Sequence, residues 1–238
     1  MENKNGQGIF YGVIGVATLV VAIIGATFAY FSASVSAGNN GEITGQTLGG
    51  TEGGVLSLTV EKIVFSSTTA SSLDLVPTNI TTSNAQTAVT NKCEAAVGGG
   101  DTTVYTGCHL YRIVVEAGSD IQSAVLKLDT FTPTAKVAGD WNYSLWKSTD
   151  AKTATTYTLG NNVAAATGTG AVASAQAKTV DTTALTKATP IVYYMLVYVA
   201  DDNAVQNDGG TNDATGSYTG TFTLEAAGGS TVKATFTA

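Results

Sequence analysis

The feature that most limits the fold is a period-two alternation of apolar and polar residues that returns along the body of the chain. Leu56, Leu58 and Val60 alternate with Ser57, Thr59 and Glu61 before the run closes on Ile63-Val64-Phe65. Successive side chains of a strand point to opposite faces, so this pattern predicts a strand with one buried face. It returns over 109–116, where Tyr111, Ile113 and Val115 share a face, and over 124–131, where Val125, Leu126 and Leu128 carry the apolar weight. Trp141, Tyr143 and Leu145 alternate with Asn142, Ser144 and Trp146, which predicts apolar surroundings on both faces. Residues 191–200 (IVYYMLVYVA) are continuously apolar, as a central strand covered on both sides requires. Tyr218, Gly220, Phe222 and Leu224 open a last pair that residues 232–236 complete.

Gly-rich polar connectors separate these runs at 66–72, 98–102, 160–170, 201–216 and 228–230. The 39 threonines and only 3 prolines agree, since Thr suits a strand better than a helix interior. The fold class expected is all-β, a jelly-roll-like β-sandwich. No capped helix is expected after Phe31, apart from a short turn around 171–178. The Ala/Thr/Gly-rich stretch 149–188 reads as a long hairpin or an insertion.

The N-terminus is of another kind. No charged residue lies between Lys4 and Glu42, and residues 9–31 hold nothing more polar than Thr and Tyr. A run so apolar must leave water, which predicts export across a membrane by a hydrophobic N-terminal helix. Three fates stay open. Its 23 residues suit a membrane anchor, since a spanning helix needs about 20. The small residues at its end suit a cleaved signal peptide, with Ala29 in an imperfect A-x-A site and Tyr30 following it, or with a second site at Val35-Ser36-Ala37. Lys4 and Gly8 ahead of the run also fit a prepilin leader, although Val13 stands where that reading prefers Glu. The expected organisation is a signal peptide or transmembrane helix at 1–29, a flexible arm at 30–50, and a β-sandwich domain at 51–238.

Charge excludes several functions. With 18 Asp+Glu against 11 Lys+Arg and a net charge of −7, the chain lacks the basic surface that phosphate binding needs, so no nucleic-acid partner is expected. A single histidine rules out a multi-His metal centre. No G-x-S-x-G, H-E-x-x-H, P-loop or dinucleotide-binding glycine motif occurs, so no enzyme, metal or cofactor is expected.

Cys93 and Cys108 flank a turn-prone loop and are expected to form a disulfide, as paired cysteines in an exported chain do. A Cys108–His109 site is the sharper alternative, but neighbours on a strand face opposite ways. The Asp/Asn-rich loop 201–213 holds oxygen ligands for calcium, yet lacks the spacing of a helix-loop-helix calcium site and reads equally as a solvated turn. Asn79-Ile-Thr81 and Asn142-Tyr-Ser144 match the short glycosylation pattern.

The string Gly25-Ala26-Thr27-Phe28-Ala29-Tyr30-Phe31-Ser32 resembles the signal-peptide junction of the TasA/camelysin family of secreted bacterial biofilm-matrix proteins. The resemblance is loose further on, where Gly45-Gln46-Thr47-Leu48-Gly49 lacks the family's acidic residue. It implies cleavage after Ala29 and a jelly-roll subunit of extracellular or cell-surface fibres. In such fibres the freed arm, here 30–50, adds as a strand to the next subunit, so the partner is a second copy. The membrane is met only through the leader. The alternative is a surface adhesin or pilin-like subunit that keeps its helix. Metalloprotease activity ascribed to some camelysins is not carried over, because H-E-x-x-H is absent and His109 stands alone.

Overall fold

The computed structural model describes residues 56–65, 75–96, 104–133, 141–201, 217–227 and 229–238. The leader, the arm at 30–50 and most of the 201–213 loop therefore lie outside the described residues. What is described is a largely β-stranded domain with several sheets.

The first sheet is antiparallel and begins with β1 (Leu56–Ile63) beside β4 (His109–Ala117). Next come β10 (Ile191–Val199) and β6 (Trp141–Ser148), and two short strands, β7 (Asn161–Asn162) and β8 (Gly168–Thr169), pair the far side of β6. The second sheet runs β12 (Thr231–Thr237), β11 (Tyr218–Ala226), β5 (Ile121–Pro133), β9 (Lys178–Leu185). From β4 onward the longer strands alternate between the two sheets until the β11–β12 hairpin, with β7 and β8 added to the first sheet between β6 and β9. Backbone donors and acceptors buried in this way are satisfied by the ladders themselves.

One hydrophobic cluster joins the sheets. Leu56, Leu58 and Val60 of β1, with Tyr111, Ile113 and Val115 of β4, meet Leu126, Leu128 and Phe131 of β5 and Phe222 and Leu224 of β11. Each contributes through alternate positions, as the sequence pattern requires. On β5 Ile121, Ala124, Leu126, Leu128, Phe131 and Pro133 are buried, while Val125 faces the half-exposed side. Gly220 sits opposite Phe236 in the β11–β12 register, and a Cβ there would overlap the Phe236 ring. The missing side chain makes room for the aromatic one.

A second cluster lies on the other face of the first sheet. Trp146, Val192, Tyr194 and Leu196 pack there against Ile80, Ala85, Val89 and the two cysteines. β10 is thus covered on both sides, and Trp141 and Trp146 serve opposite clusters, as their alternation predicts. One element departs from expectation and another fills a stretch that was left open. A helix, α1 (Ala85–Thr90), forms in the stretch before Cys93. Six residues cannot hold a helix alone, so it depends on burying Ala85 and Val89 and on end bonds from Lys92 N–H to the Val89 carbonyl and Cys93 N–H to the Ala88 carbonyl. β9 lies within 149–188, where the sequence left a hairpin or insertion open; only Val180 and Leu185 are buried on it.

Candidate assembly edge and buried clasp

Cys93 and Cys108 are joined in a disulfide, Cα–Cα 5.1 Å, at the base of a hairpin made by β2 (Glu94–Ala96) and β3 (Val104–Thr106). Both are buried in the second cluster. His109, the next residue after Cys108, turns the other way and meets Tyr218, so the pair shares no site.

His109 begins a buried polar chain between the sheets. The Tyr111 hydroxyl donates to the Thr237 carbonyl at 2.5 Å, and the Tyr111 and Tyr218 hydroxyls lie 2.7 Å apart. With its one proton committed, Tyr111 can only accept from Tyr218. Tyr218 in turn must accept from His109 Nδ1–H at 2.6 Å. The order His109, Tyr218, Tyr111, Thr237 therefore runs in one direction with every group satisfied. It clasps β4 of the first sheet to β11 and β12 of the second. Burial raises both phenols well above their ordinary range, so they stay neutral donors.

The outer face of the first sheet is held by charge. Arg112, the sole arginine, reaches the Ala154 carbonyl at 2.9 Å and Glu61 Oε2 at 2.6 Å. Lys152 pairs with Glu116 at 2.6 Å, and the Tyr194 hydroxyl donates to Asp150 at 3.0 Å. These contacts pin the loop after β6 onto the sheet. At the β6–β9 side, Asp181 accepts from Lys147 and from the Tyr193 hydroxyl, each at 2.7 Å, which holds its carboxyl below the usual range despite partial burial.

Asn79 is exposed, whereas Asn142 sits within β6 and Ser144 of the same motif is buried and accepts from Trp146 Nε1–H at 3.0 Å. A cleft of about 230 Å³ beside Asn142 is lined by Thr81, Thr82, Ser144, Thr169 and Tyr198 among others, without an ionised side chain. Among the described residues there is no cluster of three or more His, Cys, Asp or Glu that could hold a metal, and no helix long and apolar enough to cross a membrane. Ala29 and Tyr30 lie outside the described residues.

The edges of the first sheet differ. β6 is covered by the chain itself over 161–172. Val163 N–H donates to the Leu145 carbonyl and Gly170 N–H to the Trp141 carbonyl, both at 2.7 Å. Val172 exchanges bonds of 2.8 and 2.9 Å with Phe131 of the second sheet and is buried between them. β1 keeps an unbroken register with β4 from Leu56↔Ala117 to Ile63↔Leu110, without bulge or proline. Among the described residues no strand pairs its other side.

One residue of this edge escaped the sequence reading. Lys62 follows Leu56, Leu58 and Val60 in the inward series and stands opposite Tyr111. Its Nζ is buried with no hydrogen-bond partner, and burial pushes the amine down to about 8. Strict continuation of the alternation past Val60 would have placed it inward; the apolar Ile63-Val64-Phe65 run drew attention away.

No protein-family model matches the chain, and no curated protein matches it.

Proposed function

We propose that the chain is an exported structural subunit, without catalytic function, that builds extracellular or cell-surface fibres. Cleavage after Ala29 frees an arm that begins at Tyr30, and residues 30–50 of one copy add as a strand beside β1 of the next. In this reading the domain is a jelly-roll-like sandwich whose first sheet is extended by its neighbour. Unpaired backbone groups along a strand edge accept a foreign strand, which supplies affinity without side-chain chemistry.

The observation that carries the reading is the unequal treatment of the two edges. The chain spends residues 161–172 on covering β6, while β1, regular over eight residues, has no strand paired on the side away from β4 among the described residues. The uncharged apolar leader and a disulfide between the only two cysteines support an exported setting.

Two measurements test it. Sequencing the N-terminus of the exported protein is expected to read Tyr30 first; an intact Met1 would instead favour a tethered adhesin, and Ile9 a pilin. Deleting residues 30–50 is expected to leave a folded monomer that no longer polymerises, and polymerisation surviving that deletion would overturn the proposal.

A further inference from the structure

Among the described residues of β1, Lys62 has a buried side-chain nitrogen without a hydrogen-bond partner. Lys127, Lys147, Lys152 and Lys233 each reach a carboxylate. Lys62 reaches none, although its Nζ is buried. Its position on an inward alternation site of an edge strand gives the charge a consequence. A strand laid beside β1 sets one of its own side chains directly opposite Lys62. If that side chain is apolar or cationic, the already buried ammonium gains no partner and loses the open edge through which it could move out to water, which is strongly unfavourable. Inward-pointing charges on edge strands are a known means of rejecting stray strands. A carboxylate at the same place reverses the sign and turns rejection into selection.

The arm has one candidate. Residues 30–50 read YFSASVSAGNNGEITGQTLGG, and Glu42 is the single charged residue among them. One buried amine without a partner on the acceptor edge thus faces one carboxylate in the segment proposed to occupy it. We propose that Lys62 is the specificity and register residue of the β1 edge, and that it pairs with Glu42 in the arm of a second copy. This rests on the strand-addition reading above and adds to it. It states which strands β1 admits and at which register. A strand shifted by one residue turns Glu42 to the opposite face and leaves Lys62 unmatched.

The test uses the full exported chain and reads the critical concentration for assembly by sedimentation and light scattering. Circular dichroism checks that each variant is folded. Glu42→Gln is expected to raise the critical concentration about thirtyfold or more, the scale of losing one partner of a desolvated charge pair. Lys62→Glu or Glu42→Lys alone sets like charges opposite each other and is expected to cost more. The double variant carrying both exchanges restores assembly to within a few-fold of wild type. Lys62→Met removes the selection, so Lys62→Met with Glu42→Gln assembles close to wild type; this pair decides if the charge swap fails to fold. Glu42→Gln assembling like wild type, or folded compensating pairs failing to restore assembly, overturns the inference. If deleting 30–50 abolishes assembly while Glu42→Gln leaves it unchanged, the pairing falls and strand addition stands. If deletion leaves assembly intact, or wild type does not assemble, both fall.

Discussion

At its β6 end the first sheet is paired by its own chain; at its β1 end β12 of the second sheet lies close, but among the described residues no strand pairs β1 on the side away from β4. The same backbone chemistry is present at both edges, namely a row of donors and acceptors in need of partners. At β6 the answer is intramolecular. Residues 161–172 pair β6 on one side and Phe131 of β5 on the other, so a single segment closes the gap between the sheets. At β1 the register with β4 is regular and the Lys62 amine is buried without a hydrogen-bond partner, and the proposed assembly uses this edge to take a strand and Lys62 to select it.

The largest expected effect comes from uncovering β6. Val172 is buried between the sheets. Val172→Asp places an unpaired charge there and is expected to cost about 3–5 kcal/mol in denaturant unfolding. It is also expected to cause association that no longer needs residues 30–50. A variant of wild-type stability would show that the 161–172 segment does not seal the gap.

Removing the disulfide with Cys93→Ser and Cys108→Ser comes next. The loop closed by two cysteines 15 residues apart is worth about 3 kcal/mol in the chain-entropy model. Because Cys108 leads directly into β4, the partner of β1, hydrogen exchange is expected to rise along β4 and β1 before β6. Uniform loosening of both edges would remove this distinction.

Tyr218→Phe breaks the clasp near the inward end of β1. It leaves the Tyr111 oxygen without its donor and His109 Nδ1–H without its acceptor, an expected loss of about 1–3 kcal/mol in the unfolding free energy. A change within a few tenths would mean that the two sheets do not depend on the clasp.

The smallest effect is the titration of Lys62. Its folded pKa of about 8 lies below the ordinary 10.5, so between those values the unfolded chain binds more protons and stability rises with pH. The titratable groups on the inward side there are Tyr111, Tyr218 and His109. The two phenols, raised in the folded state, contribute in the opposite direction only near and above pH 10. Between pH 8 and about 9.5 the monomer should therefore stabilise by at most about 1.5 kcal/mol, less what solvent screening removes, and Lys62→Met should flatten the slope. A slope unaffected by that substitution would place the amine in water.

Much of this architecture was legible in the residues, and the reasons for the gaps are physical. Leu56, Leu58 and Val60 announce β1 because their period matches the pleat, and the unbroken run from Ile191 announces a strand covered on both faces. β9 is obscured because Thr179, Thr182 and Thr183 fit strand and loop alike, with only Val180 and Leu185 to mark a face. α1 is obscured because its six residues are helical through tertiary burial of Ala85 and Val89, which no local pattern encodes. The cover over β6 comes from Ala, Gly and Asn residues whose role lies in backbone bonds. The clasp was hidden for another reason: His109, Tyr111 and Tyr218 are separated by 109 positions or fewer but brought together only by the alternation of the chain between sheets. The disulfide was accessible from two cysteines that flank a turn-prone loop.

The claim that matters most is that β1 receives a strand when the protein assembles. Hydrogen–deuterium exchange, read residue by residue on monomer and on fibre, addresses it directly. The account predicts that amides of β1 turned away from β4 become protected on assembly, while those of β6, already paired by β7 and β8, change little. Fibres that form with β1 exchange unchanged, or with new protection at β6 alone, would contradict it.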